Sequence, residues 1–215
     1  MSSQRILLVR HGEVENPGGV LYERLDGFGL SERGHRMAAL AADDIAGAGL
    51  REPLLITSPL QRTRESAAPI AAALGVQPDA DERVIEPWNR FAGKRMRGGA
   101  AAWKQPRAWR YLVNPLKPSW GEPYRQIANR MLEAMRDAAD RAEGRDVIVV
   151  THQLPIWMVH RHLDGKPLVH NPTTRRCALS SITEFETVGD TGFAEVDYRE
   201  PAAAELHDAT DQGAV

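Results

Sequence analysis

Two arginines and two histidines stand where their types and setting could do chemistry together. Arg10 and His11 follow the apolar run 6–9, Arg62 lies just after the Ser58-Pro59 pair, and His152 closes the run DVIVVTH at 146–152. Guanidinium groups offer forked N–H donors that match phosphate oxygens, and a helix N-terminus adds aligned backbone N–H groups. Brought to one edge of a sheet, these four side chains form a set that binds a phosphate dianion. Glu86 adds a carboxyl group if it ends a nearby strand.

The elements that must position them are readable from periodicity. Runs 6–9 and 54–57 (LLIT) are continuously apolar, as strands buried on both faces of a parallel sheet are, and 146–152 is the strongest strand of the chain. Residues 81–86 (DERVIE) read as a third strand. Ser31 can cap a helix whose apolar positions Met37, Leu40, Ala41, Ile45 and Ala48 recur at helical spacing, with Gly47 or Gly49 ending it. Ser58-Pro59 reads as the N-cap and first turn of a helix reaching Gly75, bent at Pro69. Helices are expected over 123–143 and 154–163, and segments 178–188 and 192–199 read as a hairpin around Gly189, Asp190 and Gly192. Strands alternating with helices predict an α/β fold: a three-layer α/β/α sandwich with a mainly parallel sheet. In such sheets ligands bind beyond the carboxyl ends of the strands, where Arg10, His11 and His152 fall.

The 215 residues, 42% of them hydrophobic, suffice for one core with a small inserted cap. The expected organisation is a single domain over 1–200, a cap at about 87–121, and a mobile tail at 201–215 that has little to bury. Between Pro87 and Gly121 the sequence has no acidic residue but many Arg and Lys, together with Trp88, Trp103, Trp109 and Trp120. A net charge of −2 gives no global reason to expect nucleic acid or anionic membrane as a partner. No apolar stretch is long enough for a signal core or a membrane span, so a cytoplasmic protein is expected. The single cysteine, Cys177, fits a reducing compartment and reads as a small buried residue.

Beyond these local readings, the chain resembles the histidine phosphatase superfamily, which includes the cofactor-dependent phosphoglycerate mutases. LVRHGE at 8–13, LSERG at 30–34, TSPLQRTRESA at 57–67, Glu86 with Phe91 and Gly93, Gly121-Glu122, and VVTH at 149–152 carry the likeness, in the family's order. The resemblance implies that His11 is the nucleophile that accepts the phosphoryl group. It further implies that Arg10, Arg62 and His152 hold the non-bridging oxygens, and that Glu86 protonates the leaving alkoxide and later deprotonates water. It implies no metal and no cofactor, because guanidinium and imidazolium supply the charge; Arg10 and Arg62 would help by lowering the pKa of His11. Glu13 and Glu122 are alternative acids.

Departures from the family pattern point to specificity. Val14, Glu15, Asn16 and Pro17 follow the Arg-His-Gly-Glu run, so Asn16 is a candidate phosphate ligand shifted by one position. Gln153 replaces the usual Gly after the second histidine, Arg24 falls where many members have an arginine near the site, and Ser58 serves as helix cap and pocket wall. Asn16, Arg24, Ser58 and Gln153 are therefore the candidate substrate-binding residues. His160 and His162 are two apart in a predicted helix and make a poor metal pair. His35 and His207 read as solvated.

The expected function is a metal-independent phosphomonoesterase that works through a phosphohistidine on a small phosphorylated metabolite. The alternatives are mutase-type phosphoryl transfer, against which stands the lack of an Arg-rich segment ending in Tyr-Gly after Glu86, and a non-catalytic RNA or phospholigand binder using the basic, Trp-rich insertion. A cap whose arginines attract the phosphorylated ligand and whose tryptophans touch its organic part would set specificity. Oligomeric state has no signature in the sequence.

Overall fold

The computed structural model describes residues 3–95, 121–189 and 192–211. A six-stranded sheet runs in the order β3-β2-β4-β1-β5-β6. Its strands are β1 (Arg5–Arg10), β2 (Leu54–Thr57), β3 (Pro78–Ala80), β4 (Val147–Thr151), β5 (Ile182–Val188) and β6 (Gly192–Arg199). The pairings β1–β4, β2–β4 and β2–β3 are parallel, while β5 and β6 add antiparallel strands at one edge.

Alternation along each central strand builds the layers. Ile6, Leu8, Ile56, Val147 and Val149 face α3 (Tyr124–Ala142) and α4 (Gln153–Leu163) through Met131, Met135, Ile156 and Val159. Leu7, Val9, Leu55, Ile148 and Val150 face α1 (Glu32–Gly47) and α2 (Gln61–Leu74) through Ala42, Ile45, Ala67 and Ile70. Both faces of β1 and β4 are thus covered, which is why they read as unbroken apolar runs rather than alternating ones. The result is the expected α/β/α sandwich with a mostly parallel sheet.

Local departures have local causes. The strand expected at 81–86 is instead the short β3 at 78–80 followed by a 3-10 turn, Glu82–Val84, because the Asp81 side chain accepts the Arg83 N–H and turns the chain out of the sheet. Ser31 caps α1 as expected, accepting from the Gly34 N–H. Leu60, not Ser58, holds the N-cap position of α2, without a side-chain cap bond. Residues 202–209 bury more than their composition suggests: Ala202 packs against Met37 and Leu179, and Leu206 and Ala209 add to that cluster.

Most of the expected cap, with Trp103, Trp109 and Trp120, lies outside the described residues. Its ends are pinned side by side, since Asn89 bridges Gly121 and Glu122 N–H donates to the Trp88 carbonyl at 3.1 Å. Among the described residues, no helix is long and apolar enough to cross a membrane.

Candidate active site

Three parallel strands end level and deliver the candidate residues to one edge. Arg10 pairs in register with Thr151, His11 N–H donates to the Thr151 carbonyl, and Ser58 N–H donates to the Val150 carbonyl. The loop after β1 then docks on the start of α1 so closely that only glycine fits. A Cβ on Gly12 would lie 2.5 Å from the Gly34 carbonyl oxygen, and one on Gly34 would lie 2.0 Å from the Glu13 carbonyl oxygen.

His11 and His152 meet edge to face with ring centroids 5.2 Å apart. Ring nitrogens of both and a Glu86 carboxylate oxygen all lie within 4.8 Å of one another. The Nδ1–H of His11 donates to the Gly12 carbonyl at 2.8 Å, which leaves Nε2 as the unprotonated nitrogen of the neutral ring. His152 Nε2 lies 2.8 Å from the Ser58 hydroxyl, and its Nδ1 is 3.2 Å from Glu86 Oε2 without hydrogen-bond alignment. Arg62 reaches Glu86 at 4.0 Å, donates to the Glu23 carbonyl at 2.6 Å, and lies over the Tyr22 ring at 4.8 Å. Arg10, His11, Arg62, Glu86 and His152 are all buried.

Burial in a cationic setting decides the protonation states. Desolvation, followed by the charges of Arg62 and Arg10, holds the His11 imidazole well below the usual histidine range. The sequence pointed to the arginines; the structure adds that burial is the larger cause. His152 is lowered in the same way, first by burial and then by Arg62 and His11, so it rests neutral. Burial pushes Glu86 up to about 7 against the pull of Arg62 and Arg10. Glu23, buried and facing Glu86, is raised well above the carboxylate range by burial and by that neighbouring carboxyl. Several buried donors have no partner: Nε of Arg10, Nε of Arg62 and Nη2 of Arg175. Unspent N–H groups at one locus mark a place built for an anion. A cation held by His11, Glu86 and His152 would sit among these same guanidinium groups, whose charge opposes it.

The other predicted residues are placed unevenly. Ser58 reaches the site through His152 rather than through a helix cap. Asn16 spends its amide on the N–H and carbonyl of Val20, closing its own loop. Arg24 donates to the Glu86 carbonyl at 2.5 Å and pairs with Glu122, so it holds the segment that carries Glu86. Gln153 bridges two segments, donating to the Cys177 carbonyl and accepting from Arg175. Glu13 is spent on Ser31, Arg33 and the Thr210 N–H; burial raises its pKa, but these donors outweigh it and hold it below the ordinary value. Glu122 accepts from Arg130 and Arg24 outside the cluster.

Three residues escaped the sequence reading. Glu23 sits at positive φ (38°) in a loop without periodicity. Arg175 lies in the irregular segment before β5. Asp211, in the stretch expected to be a tail, forks its carboxylate onto Arg10 at 2.6 and 2.8 Å.

The sequence matches the family described as histidine phosphatase superfamily (branch 1) over residues 6–197. The chain belongs to this superfamily. Among its relatives, the protein named "Uncharacterized protein Rv0525" of Mycobacterium tuberculosis is 47% identical over 199 residues, covering 93% of this chain and 97% of its own. Phosphoserine phosphatase 1 of Hydrogenobacter thermophilus is 29% identical over 167 residues, covering 76% and 78%. Among solved structures, Bacillus stearothermophilus YhfR superposes with a TM-score of 0.75 at 23% identity, covering 97% of this chain and 98% of that one. A vanadate (VO3) complex of mycobacterial glucosyl-3-phosphoglycerate phosphatase Rv2419c gives 0.72 at 22% identity, covering 89% and 97%. The curated relatives that the chain matches thus include a phosphatase, and the solved structures share its fold.

Proposed function

We propose that the chain is a metal-independent phosphomonoesterase that works through a phosphohistidine at His11 on a small phosphorylated metabolite. The observation that carries this reading is a buried, neutral His11 with Nδ1–H bound to the Gly12 carbonyl, flanked by two guanidiniums and with a Glu86 carboxyl of pKa about 7 within 4.8 Å.

In the first step, the lone pair of His11 Nε2 forms the N–P bond while the P–O bond to the leaving group breaks. The alkoxide takes the proton of the Glu86 carboxyl. Arg10 and Arg62 stabilise the charge that gathers on the non-bridging oxygens, and they do so at low dielectric because both are buried. The incoming dianion also favours a proton on His152, which then donates to it. In the second step, Glu86 takes a proton from water, the new O–P bond forms and the N–P bond breaks, giving inorganic phosphate and returning His11 and Glu86 to their starting states.

The phosphatase named among the relatives supports hydrolysis, and the lack of an Arg-rich segment ending in Tyr-Gly after Glu86 stands against mutase transfer. Rapid-quench labelling during turnover of a phosphomonoester is the test. An acid-labile, alkali-resistant phosphoryl adduct on the wild type that is absent from His11→Ala is expected, with turnover unaffected by EDTA. Absence of the adduct overturns the covalent route, and loss of turnover in EDTA overturns metal independence.

A further inference from the structure

Glu86 stands in a stretch that no strand or helix supports, since residues 85–88 follow the 3-10 turn without joining the sheet. Carbonyls in such a stretch still need donors. They find them on both sides of Glu86. Arg130 Nη1, on α3, donates to the Arg83 carbonyl at 2.5 Å, Thr151 Oγ1 donates to the Val84 carbonyl at 2.5 Å, and Arg24 Nε donates to the Glu86 carbonyl itself at 2.5 Å. The Trp88 carbonyl takes the Glu122 N–H at 3.1 Å.

Both of the guanidinium donors converge on one carboxylate. Glu122 Oε1 accepts from Arg130 Nε at 2.8 Å, and its Oε2 accepts from Arg130 Nη2 at 3.2 Å and from Arg24 Nη2 at 3.3 Å. Glu122 therefore links the group that holds the Glu86 carbonyl to the group that holds the turn before it. Its carboxylate is buried, so removing it would leave two like charges facing each other with little water to screen them. A carboxylate that merely serves a helix start is exposed or bonds the first-turn N–H groups; α3 has no side-chain cap, and Glu122 turns to the arginines instead.

We propose that Glu122 is the positioning residue for Glu86: through Arg24 and Arg130 it fixes the main chain on both sides of that residue and so aims its carboxyl at the leaving oxygen. This rests on the phosphomonoesterase reading, in which Glu86 gives the proton to the departing alkoxide. Aim is worth much here, because a displacement of about 1 Å caused from outside the reacting centre can cost on the order of 10²-fold in rate. Glu122 touches neither the phosphoryl group nor His11 in this role. It acts only through the two arginines.

A leaving-group series separates a misaimed acid from general damage, because a good leaving group departs without a proton and a poor one does not. The probes are p-nitrophenyl, p-chlorophenyl and phenyl phosphate, read as kcat/KM against the pKa of the released phenol. Wild type is expected to give a shallow slope and Glu86→Gln a steep one. Glu122→Ala should steepen it too, so that the loss on phenyl phosphate exceeds the loss on p-nitrophenyl phosphate by about tenfold or more, a part of the 10²- to 10⁴-fold that a positioned acid supplies. Glu122→Gln, which keeps an acceptor, should lie between. Adding Glu122→Ala to Glu86→Gln should steepen the slope no further, as for two residues acting through one group. Arg24→Met breaks the same link at a half-exposed position, should act in the same direction, and decides the matter if Glu122→Ala does not fold. An equal loss on every ester in Glu122→Ala and Arg24→Met, or slopes that add in the double variant, overturns the positioning role while a steep Glu86→Gln keeps the phosphatase reading. A slope unchanged in Glu86→Gln sinks that acid, and this inference with it.

Discussion

In the proposed mechanism Glu86 meets two opposing demands, since it holds a proton when the leaving group departs and loses it when water attacks. Its pKa of about 7, raised by burial against Arg62 and Arg10, suits both. His11 must be unprotonated, and its pKa lies well below the ordinary 6.5. The signs follow. As pH rises through about 7 Glu86 loses the required proton and kcat/KM falls; on the acid side, activity persists below pH 6.5 because His11 is not yet protonated. Glu86→Gln should lower kcat/KM by on the order of 10²- to 10⁴-fold and remove the alkaline fall, both read from a pH–rate profile. A fall that persists in the variant would assign it to another group. The site residues were legible to different degrees. Arg10, His11, Arg62 and His152 could be located because each adjoins a strongly patterned strand or helix. Glu86 was located in the cluster, but it lies past the 3-10 turn Glu82–Val84 rather than at the end of a strand. Arg175 and Glu23 left no periodic trace, for their roles depend on tertiary neighbours far away in sequence.

At the scale of elements, the site depends on how tightly the loop after β1 lies against α1. The Gly12–Gly34 contact has no room for a methyl group, and the clash is with backbone, which cannot swing aside. Gly34→Ala should therefore cost about 1–3 kcal/mol of stability, seen as a lower urea midpoint with an unchanged slope, and should reduce activity by displacing His11. A wild-type midpoint would show that the loop yields. The strands and helices themselves were readable because buried parallel strands flanked by helices write continuous apolar runs and amphipathic stripes. β3 was misjudged because a short, exposed edge strand has no such pattern, and a single capping carboxylate, Asp81, decides where it stops. The α2 start was misjudged for a related reason: Ser58 is drawn to His152, a partner 94 positions away that local capping rules do not see.

Across the whole molecule, a chain of net charge −2 concentrates positive charge at one sheet edge, and its last described residue answers that charge. The Asp211 carboxylate sits on Arg10 in the two-pronged manner a phosphate would use, yet its side chain is 41% exposed against 1% for the arginine. Solvent screening makes such a pair weak, so a phosphate can displace it. Asp211→Asn should lower the inhibition constant of inorganic phosphate by roughly 2- to 5-fold, measured as product inhibition, in keeping with the modest strength of partly exposed pairs. An unchanged constant would mean the carboxylate does not compete. The far contact was invisible in sequence because a polar stretch reads as solvated wherever a few small apolar side chains are all that dock it.

The buried thiol of Cys177, pushed up to about 11 by burial, hangs from the very residue whose carbonyl receives both Arg10 and Gln153. An alkylating reagent can reach this sulfur only when that segment lifts away, so the labelling rate of the native protein becomes a clock for spontaneous opening around the anion cradle. Occupied by phosphate, the clock should slow in proportion to ligand saturation.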